Sequence, residues 1–246
     1  MASAAPIRIA MWSVPRTVST AMMRAWGNRP DTFVCDEPLY AHYLLKTGVA
    51  HPGADEVIRS QENEWRKVVA WLTGDVPGGK AIFFQKHMTH HLLPEIDRGW
   101  LGHVTNAFLI REPREVVASF VKIAGEPRLS DTGYPQQWEI FTLVKQRTGR
   151  VPPVVDARDV LTDPPRLLRL LCAALDVEFT DAMLSWPAGP RDTDGVWAKH
   201  WYGAVLQSTS FAPYKPRHDP IPSHLAGLLE QADAIYRQLH AHRLGQ

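Results

Sequence analysis

Short apolar runs alternate along this chain with stretches whose apolar residues recur at helical spacing. Residues 7–12 form an apolar run broken by one arginine and followed by Ser-Val-Pro, the pattern of a buried strand. Residues 17–27 then read as a helix stopped by Gly27 and Pro30, and 32–35 as a second strand. Val57, Ile58, Trp65, Val68, Val69 and Leu72 share one side of an amphipathic helix predicted over 55–73. A turn at 75–79 leads to a third strand at 81–85. The pattern continues with a strand at 104–110, a helix at 112–121, a breaker-rich loop at 125–135 and a helix at 136–147. A strand at 151–157 and a helix at 164–175 follow, then an irregular stretch from 187 to 222 and a last helix at 223–242. Strands alternating with helices argue for an α/β fold in three layers, a parallel sheet covered by helices on both faces. No repeat or linker interrupts the pattern, so residues 1–246 read as a single domain.

Composition narrows this little. A chain of 246 residues, 45% of them hydrophobic, can bury a large core. Its formal charge of +1 gives no overall field toward nucleic acid or an acidic membrane, so any anion site must be local. Cys35 and Cys172 sit in apolar contexts and read as buried thiols in a reducing compartment. The start of the chain lacks a signal-peptide pattern, and no run approaches 18 apolar residues. The expectation is a cytoplasmic protein with no nucleic-acid or membrane partner. Oligomeric state leaves no trace in the sequence.

Two segments could cradle a phosphate. Gly74 to Lys80 spells G-x-x-x-x-G-K, but Ala81 stands where a magnesium-binding hydroxyl is needed, and the order is helix, turn, strand. A phosphate loop needs strand, loop, helix, so that a helix N-terminus can offer its N–H groups and positive dipole end. The segment therefore reads as an ordinary turn with an exposed lysine. The second segment has the right order: the first strand runs through Ser13-Val14-Pro15-Arg16-Thr17-Val18-Ser19-Thr20 into a helix. Backbone donors, a guanidinium and several hydroxyls converge there. The same residues could equally describe a helix capped by Thr17 or Ser19.

Further along, Arg111 ends a strand and Ser119 follows eight residues later, two turns into a helix. The two side chains can reach one anion. His87, His90 and His91 cluster near Pro94 without a third ligand at a recognisable spacing, so no metal is expected. His90 and His91 read as surface or second-layer residues.

Pro15-Arg16-Thr17-Val18-Ser19-Thr20 resembles, position by position, the 5′-phosphosulfate loop of the sulfotransferases that use 3′-phosphoadenosine 5′-phosphosulfate (PAPS). Val18 departs from the glycine usual there, and Arg16 stands where many members have lysine. Arg111 and Ser119 are similar to the pair that holds the nucleotide 3′-phosphate in that family. His87 keeps the spacing to Leu92-Leu93-Pro94 that the general-base histidine has in the cytosolic members, although Gln85 replaces their lysine and Lys86 stands beside it. Glu37-Pro38 resembles the acid that faces the acceptor in other branches. Ser208 to Phe211 is similar to the segment over the adenine, and Lys215 and Arg217 could add charge at the 3′-phosphate.

The resemblance implies a P-loop-type fold and transfer of a sulfuryl group from PAPS to a hydroxyl or amine of a small molecule, leaving 3′,5′-adenosine bisphosphate (PAP). It implies nucleotide binding by Pro15, Arg16, Thr17, Val18, Ser19, Thr20, Arg111, Ser119 and Phe211, and catalysis by His87, Arg16 and Glu37. His87 is the favoured base, kept neutral by nearby Arg16 and Lys86, while the same cations should depress Glu37 and leave it to orient the acceptor. Tyr40, Tyr43, Trp138, Trp197 and Trp201 are expected to rim the cleft. Competing readings are a P-loop kinase or NTPase, which lacks its Gly-Lys-Ser/Thr element here, and a non-catalytic nucleotide-binding relative.

Overall fold

A computed structural model describes residues 5–216 and 219–245. Five strands, β1 (Ile7–Ser13), β2 (Thr32–Asp36), β3 (Ile82–Met88), β4 (Thr105–Ile110) and β5 (Val154–Asp156), pair in the order β2-β3-β1-β4-β5. Every pairing is parallel. The helices are α1 (Ser19–Gly27), α2 (Tyr40–Thr47), α3 (Ala54–Ser60), α4 (Trp65–Thr73), α5 (Pro113–Ala124), α6 (Leu129–Thr132) and α7 (Tyr134–Thr148). They continue with α8 (Ala157–Thr162), α9 (Pro164–Ala174), α10 (Ala198–Trp201), α11 (Gly203–Leu206) and α12 (Ala226–His240). Among the described residues no helix is long and apolar enough to cross a membrane.

Alternation along the strands divides the core in two. Ile9, Met11 and Phe84 join Met22 and Trp26 of α1 and Leu168 and Leu171 of α9 on one face. Ala10, Trp12 and Phe83 join Val68 of α4, Phe141 of α7 and Leu239 of α12 on the other. Both faces are covered by apolar side chains, which is why the strands read as nearly continuous apolar runs. Both cysteines are buried free thiols.

The predicted helix at 55–73 is two helices. Glu64 has extended backbone and caps α4, its carboxylate accepting from the N–H groups of Arg66 and Lys67 at 3.0 and 3.1 Å. A cap in mid-pattern starts a new helix even where the apolar spacing runs on. β3 extends past the predicted end at 85, because β1 pairs with it through Trp12–His87 and Ser13–Met88. The expected loop at 125–135 contains the short helix α6, and α2 escaped prediction altogether. The P-loop look-alike is a 3₁₀ turn at Pro77–Gly79, with exposed Lys80 donating to the Pro30 carbonyl at 2.7 Å.

Candidate active site

A cavity of about 550 Å3 opens at the carboxyl ends of the strands, where parallel α/β sheets bind their ligands. Its floor at one end is the β1–α1 connection: Pro15, Arg16, Thr17, Val18, Ser19 and Thr20 all line it. α1 begins at Ser19 with Val18 at its N-cap and no side chain capping its first turn. Thr17, the other possible cap, donates its hydroxyl to the Val14 carbonyl at 3.2 Å instead. An uncapped first turn leaves N–H groups and a positive dipole end directed at the cavity. Val18 has φ −85°, open to any L-residue, so the loop conformation does not call for glycine there. The left-handed residue is Arg16, at φ +63°, a conformation costing roughly 1–2 kcal/mol outside glycine.

Two contacts secure the Arg16 backbone and side chain. Arg111 donates from Nη1 to the Arg16 carbonyl at 2.8 Å, and Arg16 donates from Nε to Ser119 Oγ at 3.1 Å. Pro113 at the first position of α5 fits the missing N–H of a helix start and lets Arg111 stand at the strand end, with Ser119 two turns on. Arg111 is held further by Glu115, whose Oε2 accepts from Nε and Nη2 at 2.7 and 2.6 Å. The structure thus joins the two sequence motifs into one cluster. Arg16 was expected on the side of the α1 loop alone, and its contact ties it to Ser119 as well.

At the other end lies a buried charge network. Lys86 Nζ donates to Asp36 Oδ1 at 2.7 Å, to Glu37 Oε1 at 2.5 Å and to Tyr202 Oη at 2.8 Å. Tyr202 in turn donates to Asp36 Oδ2 at 2.6 Å. All three ammonium protons are engaged within the protein. Burial would lower the Lys86 pKa, but Asp36 and Glu37 outweigh it and hold the group well above its ordinary value. Glu37 is pushed above the usual carboxylate range, by burial first and by neighbouring Asp36, with Lys86 opposing. The expectation that cations depress Glu37 is therefore reversed: desolvation and a second carboxylate outweigh one shared ammonium. Glu37 has φ +45° and is fixed from several directions, its N–H donating to the Lys86 carbonyl and its carbonyl accepting from Tyr40, each at 2.9 Å.

His87 is not in this cavity. Lys86 and Met88 line it, and the period-2 alternation of β3 turns Gln85 and His87 to the opposite face. There His87 stacks on Trp12 at 4.4 Å, with Gln85 Oε1 3.3 Å from its Nε2. Burial, reinforced by Lys86, holds it down to about 3. The ring therefore lies on the face of the sheet away from the cavity. Phe211 is also displaced: it packs edge-on against Trp186 at 5.1 Å, and its neighbours Ser210 and Ala212 line the cavity. Trp138 stacks on Phe141 in the core. Tyr40, Trp197 and Trp201 do line the cavity, and Tyr43 packs behind them. Lys215 lines it too, while Arg217 lies outside the described residues.

His90 and His91, read as surface or second-layer residues, are buried and line the cavity with His51. Sequence reasoning passed over His51 and Tyr202, and gave His91 and Lys86 no part in the site beyond a charge beside His87. Only Lys86 offered a signal, a lysine inside a strand that is buried throughout. Among the described residues no group of three or more His, Cys, Asp or Glu is arranged to hold a metal ion.

An uncapped helix start and a lysine shared by two buried carboxylates thus meet one cavity at the ends of a five-stranded parallel sheet. The chain belongs to the sulfotransferase family, whose domain model matches residues 7–243. It is 36% identical over 239 residues to the branched-chain-amino-acid aminotransferase-like protein 1 of Arabidopsis thaliana, a match covering 97% of this chain and 42% of that protein. The chain thus spans about two fifths of the length of the curated relatives it matches. The sulfotransferase domain of the Synechococcus PCC 7002 olefin synthase shares the fold, with a TM-score of 0.59 at 19% identity, covering 94% of each chain. So does the sulfotransferase of Alicyclobacillus acidocaldarius, with a TM-score of 0.53 at 12% identity over 98% of each chain.

Proposed function

We propose that this protein transfers a sulfuryl group from PAPS to a hydroxyl or amine of a small-molecule acceptor. The observation that carries the reading is the Arg111–Arg16–Ser119 cluster beside the uncapped start of α1. It offers two anion subsites in one cavity, as a nucleotide with phosphates at both ends of its ribose requires. PAPS, when bound, supplies an activated sulfuryl group on a phosphate leaving group. Residues 15–20 then hold the 5′ end, and Arg111 and Ser119 the 3′-phosphate. The α1 N-terminus and Arg16 meet the charge that grows on the leaving phosphate oxygen, an effect typically worth ~3 kcal/mol per well-placed donor.

We assign the acceptor to the end formed by Glu37, Tyr40, Trp197 and Trp201. Glu37, raised by burial and still ionised by its contact with Lys86, takes the acceptor's proton as the new O–S bond forms. Lys86 orients Glu37 and keeps no proton for the sulfuryl oxygens. Calorimetry with PAP against ATP plus magnesium tests the donor assignment: tight PAP binding is expected, and preference for ATP would replace it with a phosphoryl-transfer reading. A PAPS-dependent screen of phenols, alcohols, sugars and amines by mass spectrometry then tests turnover; PAP binding with no product would mark a non-catalytic relative.

A further inference from the structure

His91 has no role in the chemistry described so far, yet its surroundings are constructed around it. It follows β3 in the 3₁₀ turn Thr89–His91 and is 2% exposed. Its ring packs against Tyr40, parallel within 5° at 4.7 Å, and against Tyr43, also at 4.7 Å. His90 meets it edge-on at 4.3 Å. Its Nδ1 is buried without a hydrogen-bond partner and stands 3.9 Å from Glu37 Oε2. The other carboxylate oxygen, Oε1, is already held by Lys86.

A buried polar atom without a partner is costly, and native proteins keep few of them. Here the nitrogen faces an oxygen about 1 Å beyond hydrogen-bond distance. A small rotation of the Glu37 carboxylate about its bond to Lys86 closes that gap. A ring lone pair facing a carboxylate would repel it, whereas an N–H attracts it, so the carboxylate selects the tautomer protonated on Nδ1.

We propose that His91 is the positioning residue for Glu37, donating from Nδ1 to Oε2 and fixing the direction in which the carboxylate meets the acceptor. The inference rests on the sulfuryl-transfer reading with Glu37 as base. In the reaction the acceptor O–H bond breaks and its proton passes to the Glu37 carboxylate. The acceptor oxygen bonds sulfur, and the bond from sulfur to the bridging oxygen breaks with its electron pair staying on the phosphate. His91 keeps its own proton throughout. The charged and titratable groups around the pair are Asp36 on β2, Lys86 on β3, Tyr40 on α2 and Tyr202 against Glu37, and His51, His87, His90, Lys86, Tyr40 and Tyr43 against His91. Burial first, then the neighbouring imidazoles and Lys86, keep His91 neutral, as a donor that never exchanges its proton must be.

Asparagine carries an N–H2 at the place of imidazole Nδ1 but nothing at the place of Nε2, which separates positioning from proton transfer by His91 itself. With PAPS and an acceptor found in the screen, His91→Leu is expected to lower kcat about tenfold. It should also move the acid limb of the pH–rate profile up by about one unit, because Glu37 loses a donor to its charged form. His91→Asn is expected to restore most of both. His91→Asn as inactive as His91→Leu, or an acid limb unmoved in His91→Leu, overturns the proposal. Should the leucine variant fail to fold, two-bond 15N–1H correlation spectra of the wild-type imidazoles decide without any turnover. His91 is expected as the neutral Nδ1–H tautomer between pH 6 and 8, and an Nε2–H tautomer overturns the contact. Wild-type protein that makes no sulfated product refutes the sulfuryl-transfer reading instead, and the tautomer then judges the Glu37–His91 contact alone.

Discussion

Arg16 Nε lies 3.1 Å from Ser119 Oγ, so the loop after the first strand and the helix after the fourth meet through one hydrogen bond across the cavity. Arg111 closes the same circuit through the Arg16 carbonyl. A single guanidinium therefore stands between the two anion subsites that we assign to the nucleotide. Arg16→Ala is expected to lower kcat, because the charge at the bridging oxygen develops in the transition state. It should also weaken PAP binding several-fold, because Ser119 loses its donor. Initial rates and calorimetry on the same variant check both effects; an unchanged affinity would confine Arg16 to the 5′ side.

The Arg111 cluster predicts a preference for the 3′-phosphate. PAP should bind tens-fold more tightly than 5′-AMP, since a charge-assisted contact of this kind is commonly worth ~1.5–3 kcal/mol. Arg111→Ala should abolish the difference. Equal binding of the two nucleotides by the wild type would remove the assignment of Arg111 and Ser119.

The two acid–base candidates of the sequence separate cleanly in the structure. Glu37→Gln is expected to lower kcat by roughly 10²–10⁴. His87→Ala should keep kcat within a few-fold and instead cost about 1–3 kcal/mol of stability, since the buried ring packs against both Trp12 and Trp100. Steady-state rates with thermal melts on both variants decide the matter, and the reverse pattern would return the base to His87.

Lys86 is the ammonium shared by Asp36 and Glu37. Lys86→Met leaves two buried carboxylates side by side, and removing one partner of such a pair typically costs 3–5 kcal/mol. The sign for catalysis follows from the charge lost: without the ammonium, the Glu37 pKa rises further and the active, ionised form appears at higher pH. The acid limb of the kcat profile should therefore move upward, and a downward shift would show that Lys86 acts on something other than Glu37.

Buried neutral histidines give the fold a pH dependence of its own. His87 and His90 are each held down to about 3 by burial, against about 6.5 in the unfolded chain. Between those values the unfolded chain binds more protons, so stability is full above about pH 6.5 and declines as pH falls toward 3. At pH 5 the loss should reach about 2 kcal/mol per histidine. Urea unfolding at pH 7 and pH 5 measures it. His87→Phe, which keeps the stack on Trp12, should reduce the loss by that amount, and an unchanged loss would mean that His87 charges in the folded protein.

The sequence by itself determined the layers and the loop. Parallel strands buried on both faces have to be apolar runs, and a helix entered directly from a strand through Pro15-Arg16-Thr17 has to aim its N-terminus at the sheet's carboxyl end. Arg111 and Ser119 were equally legible, because both places follow from one strand end and the helix after it. Spacing alone misplaced His87. Its distance to Pro94 is a statement along the chain, whereas the face it occupies depends on how far β3 continues in register with β1, and one step of alternation exchanges Lys86 for His87 at the cavity. The Glu64 cap likewise split a helix whose apolar period gave no warning. The network of Asp36, Glu37, Lys86, His91 and Tyr202 draws on residues up to 166 positions apart. Their pKa shifts come from shared burial and mutual contact, which no local pattern encodes, so only the tertiary structure could bring them together and raise the Glu37 carboxyl.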